Sequence, residues 1–410
     1  MPMTPTRTTW NLDEELAALR EAGLYRRLQR VDGPSAPWIT VEGQRLLNLA
    51  SNNYLGLTTH PRVVEAAAEA LQQYGAGAGA SRLITGHLAV HDELEQALAA
   101  FKQTEAALVF PTGYLANLGA ITALVGPGDL VLADRLVHAS VVDACRLSRA
   151  TFRVYPHGDV ERLRAILARG CGKRTPHHGL LTSRRGRGRT LVVTESVFSM
   201  DGDLAPLPAL WEAARAHDAW LLVDDAHGTG VLGATGRGAL EHFGMTPAEG
   251  LIQMGTLSKA LGSLGGFVAG SHTLVDYLRN KARSFIYTTA LPPPAAAAAL
   301  AAIRVVQEAP ALRQALWARQ AQWTDGLTRL GLPLVARETP IVPILLGDPL
   351  RTMAVAAALR SAGIFAPGIR PPTVPAGQGR IRTTVMATHA ARDLDEALVK
   401  ISALIHRGEL

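Results

Sequence analysis

The sequence predicts an α/β chain built around a largely parallel sheet. Three observations predict it. Short, near-continuous apolar runs recur through the first two thirds of the chain. Helical stretches separate most of them. Hydrophobic residues make up 48% and charged residues 19%, the balance of a folded globular protein. Runs that are apolar at every position suit strands covered by helices on both faces. With 410 residues the chain exceeds one ordinary core, so two or three packed units are expected.

Taken in order, Asn11 to Gln29 reads as an amphipathic helix, and Leu46 to Leu57 as a short strand running into the turn-rich SNNYLGL. Arg62 to Tyr74 and Asp92 to Phe101 have helical periodicity. Strands are expected at Ala106–Phe110, Leu130–Ala133, Phe152–Tyr155, Leu191–Thr194, Trp220–Val223, Leu251–Met254 and Gly266–Ala269. After Leu291-Pro292-Pro293-Pro294 comes a long helical stretch, then strands near Ile341–Leu345 and Arg380–Val385. The expected division is an N-terminal helical segment (1–45), a large α/β unit (46–290) and a smaller C-terminal α+β unit (291–410).

Several classes are disfavoured. No apolar run approaches the roughly 20 residues that span a bilayer; the longest, Ala295 to Ile303, stops at Arg304. The opening MPMTPTRTTW has no apolar core of a secretory signal, and two cysteines, Cys145 and Cys171, make no disulfide framework. A reducing cytoplasm is the expected setting. The formal net charge of +6 is a local property. Nine basic residues and no acidic one lie between Arg162 and Arg189, and without them the chain would be slightly acidic. The segment GCGKRTPHHGLLTSRRGRGR (170–189) reads as a solvated loop insertion. The other reading, a nucleic-acid patch, lacks the interleaved aromatics that stack on bases, so neither nucleic acid nor membrane is an expected partner.

Three motifs are set aside. Gly75-Ala76-Gly77-Ala78-Gly79-Ala80 matches a relaxed dinucleotide fingerprint but follows a helix, where that fingerprint needs a strand. His87 and His91 have i,i+4 spacing without a third ligand, so no metal is expected. Cys145 reads as a packed helix residue.

The chemistry concentrates elsewhere. Lysine is scarce: Lys102, Lys173, Lys259, Lys281 and Lys400 are all there are. Lys259 follows an apolar strand within GTLSKALGSLGG, whose small residues let a planar cofactor approach the backbone. A lysine in that setting can form a Schiff base, its pKa lowered by burial and neighbours. In LLVDDAH (221–227) an apolar strand ends in Asp224, and His227 follows three residues on. A carboxylate at a strand's carboxyl end can keep a pyridinium nitrogen protonated, as the electron sink of pyridoxal 5′-phosphate (PLP) requires, and a nearby imidazole can reach that ring's phenolic oxygen. In PTGYLAN (111–117) a strand gives way to a glycine turn and a helix start, whose free N–H groups suit a phosphate.

These motifs carry a resemblance. With SNNYLGL, SRLITGHLAVHDELE (81–95), DRLVHAS (134–140), TESVFSMDGD (194–203), VDDAHGTGVLG (223–233), GTLSKALG (255–262), FIYTTALPP (285–293) and RPPTVPAGQGRIR (370–382), the chain resembles the α-oxoamine synthase family of PLP enzymes, of fold type I. The resemblance runs from about Leu24 to the C-terminus, and the basic stretch 170–189 is its one departure. It implies a mostly parallel central sheet with helices on both faces, and PLP on Lys259. It places Asp224 on the ring nitrogen, His227 near the phenolic oxygen and His138 on the ring face. Gly113, Tyr114, Ser199 and Thr256 become cofactor contacts, and Glu195 an acidic residue of the site. Arg370 would grip the amino-acid carboxylate, with Arg26, Thr373 and His138 also contacting substrate. Lys259, His138, Asp224 and His227 are the implied catalytic set. The partners implied are L-alanine and a pimeloyl thioester on coenzyme A or a carrier protein, with glycine and acetyl-CoA as the sister alternative. A homodimer with shared sites is also implied, Thr288 or Thr289 reaching across in trans.

Overall fold

The structure, a computed structural model, describes residues 10–22, 24–170 and 188–410. A seven-stranded sheet forms its centre, in the order Ala106–Phe110, Gly266–Gly270, Leu251–Thr256, Trp220–Asp224, Thr190–Glu195, Leu130–Asp134, Thr151–Tyr155. Gly266–Gly270 runs antiparallel to both its neighbours, and the other strands share one direction. Each strand the sequence predicted here is present: Ala106–Phe110 with the bounds predicted, the other six longer by one or two residues.

The apolar runs are explained by burial on both faces. In Leu191-Val192-Val193, the first and third side chains join one core and the middle one the other. Leu130-Val131-Leu132-Ala133 and Leu221-Leu222-Val223 divide in the same way. Helices Gly113–Leu124, Ala139–Ser148 and His272–Lys281 contribute to one core. Helices Ala89–Lys102, Val160–Arg169, Leu207–Ala216 and Pro293–Glu308 contribute to the other. A polar face on the inner strands would have nowhere to go, whereas the edge strand Thr151–Tyr155 exposes Thr151, Arg153 and Val154.

The C-terminal part holds an antiparallel three-stranded sheet, Ile341–Gly347, Gly379–Thr384 and Gly368–Ile369, with helices Pro349–Ser361 and Ala391–His406. A further small sheet was not foreseen. Val31–Asp32, Trp38–Val41 and Gln44–Asn48 form a ribbon, and Ile364–Phe365 from the C-terminal part adds to it beside Leu47 and Asn48. The N-terminal helix is shorter than expected, Leu12–Glu21; the sequence reaches glycine at 23, where a helix is costly to continue. Phe285 and Ile286, which open FIYTTALPP, end the short helix Arg283–Ile286. No single helix among the described residues is long and apolar enough to cross a membrane. The basic insertion lies at 171–187, outside the described residues, apart from its flanks.

The motifs set aside have plain structural uses. Gly75 to Ala80 form a loop. His91 is buried, its Nδ1 accepting the Leu88 N–H and its Nε2 lying 2.7 Å from the Leu291 carbonyl, while His87 pairs with Arg82 and Asp92.

One buried ion pair anchors the sheet end that carries the chemistry. Lys102, at the end of helix Ala89–Lys102, is fully enclosed and donates to Asp225 (2.8 Å), the Thr229 hydroxyl (3.2 Å) and the Arg237 carbonyl (2.5 Å). Asp225 also accepts from Ser196 (2.7 Å), Thr229 (3.0 Å) and the Ala239 N–H (3.2 Å). Breaking such a pair leaves an uncompensated buried charge. Lys102→Met should therefore lower unfolding stability by about 3–5 kcal/mol in a urea titration. A loss under about 1 kcal/mol would mean that water or rearranged donors compensate Asp225.

Candidate active site

The carboxyl ends of five strands open on one cavity of about 260 Å³. Phe110 leads to Thr112 and Gly113, Asp134 to His138, and Thr256 to Lys259. Glu195 and Asp224 are the last residues of their own strands. Ligands in open α/β sheets bind at these ends because the turns leave backbone groups and side chains facing outward there.

At its centre is Lys259. Its Nζ lies 2.8 Å from His227 Nε2, and His227 Nδ1 lies 2.7 Å from the Tyr54 hydroxyl. Burial pulls the Lys259 pKa below the ordinary amine range, although the nearby Asp224 and Glu195 carboxylates oppose the shift. His227 falls well below the usual histidine value, through burial first and then the charges of Lys259 and Arg382. His138 is lowered mainly by burial. Both imidazoles are therefore neutral near pH 7, and the amine is easier to deprotonate than in water. Burial raises the Glu195 carboxyl to above the usual carboxylate range, with Asp224 adding to the effect.

Asp224 accepts from the Asn117 amide (2.7 Å) and the Ala226 N–H (3.0 Å). Tyr114 is half-exposed, and its hydroxyl donates to Asp143 at 2.5 Å. The Thr256 hydroxyl lies 2.7 Å from Ser258 Oγ and donates to the Gly265 carbonyl at 2.9 Å. Gly113 and Tyr114 open helix Gly113–Leu124, and the first N–H groups of a helix have no intrahelical partner.

The wall fits PLP. Oxygens Asn117 Oδ1 and Glu195 Oε1 are buried without a partner at the cavity. A Cβ at Gly113 would come within 3.3 Å of Met254 Cε and 3.4 Å of Thr256 Oγ1, so glycine keeps that corner open. A helix N-terminus suits a phosphate, a strand-end carboxylate suits a pyridinium, and a depressed amine suits an aldehyde.

Of the residues the sequence singled out, Gly113, Tyr114, His138, Glu195, Ser199, Asp224, His227, Thr256 and Lys259 all line this cavity. Arg26, Arg370 and Thr373 line a second one, of about 160 Å³, with Leu24 and Pro371. Thr289 pairs with Ser81 in an isolated bridge.

Sequence reasoning missed Asn117, Tyr54 and Arg382. Asn117 had a signal: it is a polar residue in the apolar helix GYLANLGAITAL, one turn after Gly113. Tyr54 is buried, and its partner His227 is 173 residues away. Arg382 donates to the Ser199 carbonyl (2.5 Å) and Asn52 (3.2 Å), contacts with no local signature.

Comparison with known proteins follows the same lines. The model of the aminotransferase class I and II family matches residues 44–401. An 8-amino-7-oxononanoate synthase of Geobacter metallireducens is 51% identical over 393 residues, 95% of this chain and 97% of the relative. Among solved structures, one of SPT with a PLP internal aldimine has a TM-score of 0.87 at 33% identity, covering 97% of this chain and 98% of that one. A Francisella tularensis 8-amino-7-oxononanoate synthase has a TM-score of 0.74 at 26% identity, covering 89% and 99%.

Two outcomes are expected of this geometry. Borohydride reduction after incubation with PLP should fix a pyridoxyl group on Lys259, read by peptide mass spectrometry; a label on Lys102, Lys281 or Lys400 instead would refute the assignment. Asn117→Ala removes a donor from a buried carboxylate and should weaken PLP binding by about tenfold or more in a fluorescence titration.

Proposed function

The chain belongs to the aminotransferase class I and II family, and from that membership we propose that it condenses L-alanine with a pimeloyl thioester. Coenzyme A or the carrier protein leaves, carbon dioxide is lost, and the product is 8-amino-7-oxononanoate, an intermediate of biotin formation. The enzyme is a PLP-dependent acyltransferase. The observation that carries the substrate reading is near-full-length identity to relatives of that name. The cavity around Lys259 supports the reaction class.

Bound in the cavity, PLP supplies an aldehyde for amino groups and a ring that accepts the electron pair left when a bond to Cα breaks. The Lys259 amine would hold the aldehyde. Released by the incoming amino acid, it would take the Cα proton, a task for which its lowered pKa suits it near pH 7. Asp224 would hold the ring nitrogen's proton, kept in place by Asn117 and the Ala226 N–H. Neutral His227, oriented by Tyr54, would donate to the phenolic oxygen, and His138 would cover the ring face. The Gly113 and Tyr114 N–H groups, Ser199 and Thr256 would hold the rest of the cofactor. Arg370 would bind the α-carboxylate, and Arg26 and Thr373 the acyl end, from the smaller cavity.

We further propose a homodimer with shared sites, Thr288 or Thr289 acting in trans. Exposed Ile84 and Tyr287, near the Ser81–Thr289 bridge in sequence, offer a second copy an apolar surface. We assign residues 46–290 as the PLP-binding unit, flanked by the segments 1–45 and 291–410, and place the protein in the cytoplasm, a setting that its two cysteines favour.

Product identification by mass spectrometry tests the reading, with alanine, glycine and serine each offered against pimeloyl-CoA and acetyl-CoA. Alanine with pimeloyl-CoA should turn over most efficiently. Arg370→Ala should raise the KM for alanine while leaving PLP binding intact. A kcat/KM at least about tenfold higher for glycine with acetyl-CoA, a preference of about 1.4 kcal/mol that one methyl-sized pocket difference can supply, would overturn it.

A further inference from the structure

His157 is a titratable group that does not line the cofactor cavity. It follows strand Thr151–Tyr155 and is held at both ring nitrogens, with Nδ1 3.0 Å from Asp134 Oδ1 and Nε2 2.8 Å from Asp203 Oδ2. Its ring stands edge-on to Phe198, centroids 4.3 Å apart. An imidazole can donate from both nitrogens only as the cation. Burial lowers its pKa, but the hydrogen bonds to Asp134 and Asp203 outweigh that and hold it at about 9.

The two carboxylates belong to two different loops of the cavity. Asp134 ends its strand and opens the loop to His138; it also accepts the N–H of Leu136 and Gly158, each at 2.8 Å. Asp203 closes the turn that begins at Ser199, where the Phe198 N–H donates to the Asp203 carbonyl and the Gly202 N–H to the Phe198 carbonyl. At the cavity, the same two loops approach Glu195: the Ser199 N–H donates to Glu195 Oε2 at 3.3 Å, and the His138 backbone lies near the same carboxylate. The buried carboxylate holds the turn from the inside, and His157 bonds to both loops away from the cavity.

We propose that His157 is a positioning residue for the cofactor cavity: as an imidazolium bridging Asp134 and Asp203, it sets the spacing between the loop that carries His138 and the turn that carries Ser199. The proposal rests on the PLP reading above. The charged groups that face His157 are Asp134 from the first loop and Asp203 from the turn; Phe198 carries no charge.

The test is a fluorescence titration of the cofactor-free protein with PLP, run from pH 7 to pH 10 alongside thermal melts. His157→Ala should weaken PLP binding at pH 7 by about tenfold, because two facing carboxylates repel and the loops part. His157→Gln, which can still donate to one carboxylate, should recover part of the loss. A histidine with a raised folded pKa stabilises fully below about 6.5 and loses that contribution as pH rises through about 9. Wild-type protein should therefore lose melting temperature and PLP affinity across that window by more than either variant. The titration of Lys259 is common to all three proteins and cancels in the comparison. Should His157→Ala fail to fold, Asp203→Asn, at a partly exposed side chain, should show the same direction of change in PLP affinity. Unchanged PLP affinity in His157→Gln and Asp203→Asn, with only a lowered melting temperature, would reduce His157 to a structural role and overturn the proposal. Wild-type protein that binds no PLP would overturn the cofactor reading itself, a different outcome from tight binding by wild type and variants alike.

Discussion

The ion pair between Lys102 and Asp225 is the constraint on which the site depends. Asp225 follows directly on Asp224, the carboxylate at the cavity. Adjacent residues at a strand end cannot both face the cavity, so Asp225 must turn into the protein. There a carboxylate is costly unless it is paired and fully hydrogen-bonded. Lys102 and the donors of Ser196, Thr229 and Ala239 meet that requirement. The same contacts hold three pieces of chain around one point: the end of helix Ala89–Lys102, the turn after Glu195, and the segment 225–239. Asp224 is thereby aimed, and His227 with it.

The cavity's electrostatics follow from burial. The Lys259 amine, two imidazoles and the Glu195 carboxyl stand together, and burial penalises the charged form of each. Both histidines are driven neutral and Lys259 is lowered, while the Glu195 carboxyl is raised. Tyr54 is pushed up to about 12 by burial, which keeps its hydroxyl protonated beside His227. These shifts favour proton exchange among neighbours over fixed ion pairs, as proton abstraction from carbon requires.

Close backbone packing completes the positioning. Gly262, three residues after Lys259, has φ +64° and would drive a Cβ to 2.6 Å from the backbone of Leu57 and Thr58. The Lys259 turn thus lies directly against the end of SNNYLGL, the motif that also supplies Tyr54. Two motifs about 200 residues apart in sequence meet here because a glycine lets their backbones touch.

Much of this was legible in the sequence by itself. Strands buried on both faces must be apolar throughout, so the inner runs of the central sheet declared themselves, and with them the α/β class. Strand-end chemistry was legible for the same reason: Asp224, Lys259 and the Gly113 turn each stand where an apolar run stops. The tertiary structure alone decided what comes from distant chain. Lys102 reads as an ordinary helix residue until Asp225 is brought to it, and Tyr54 as a turn residue until it meets His227. The ribbon 31–48 is too short and too mixed in pattern to announce its pairing with Ile364–Phe365. His157 carries no local mark either, since its charge is set by two carboxylates that only the fold assembles. Local pattern records which face of an element is buried; partners in a hydrogen bond or ion pair are chosen by topology, and a lone polar residue in sequence does not name them.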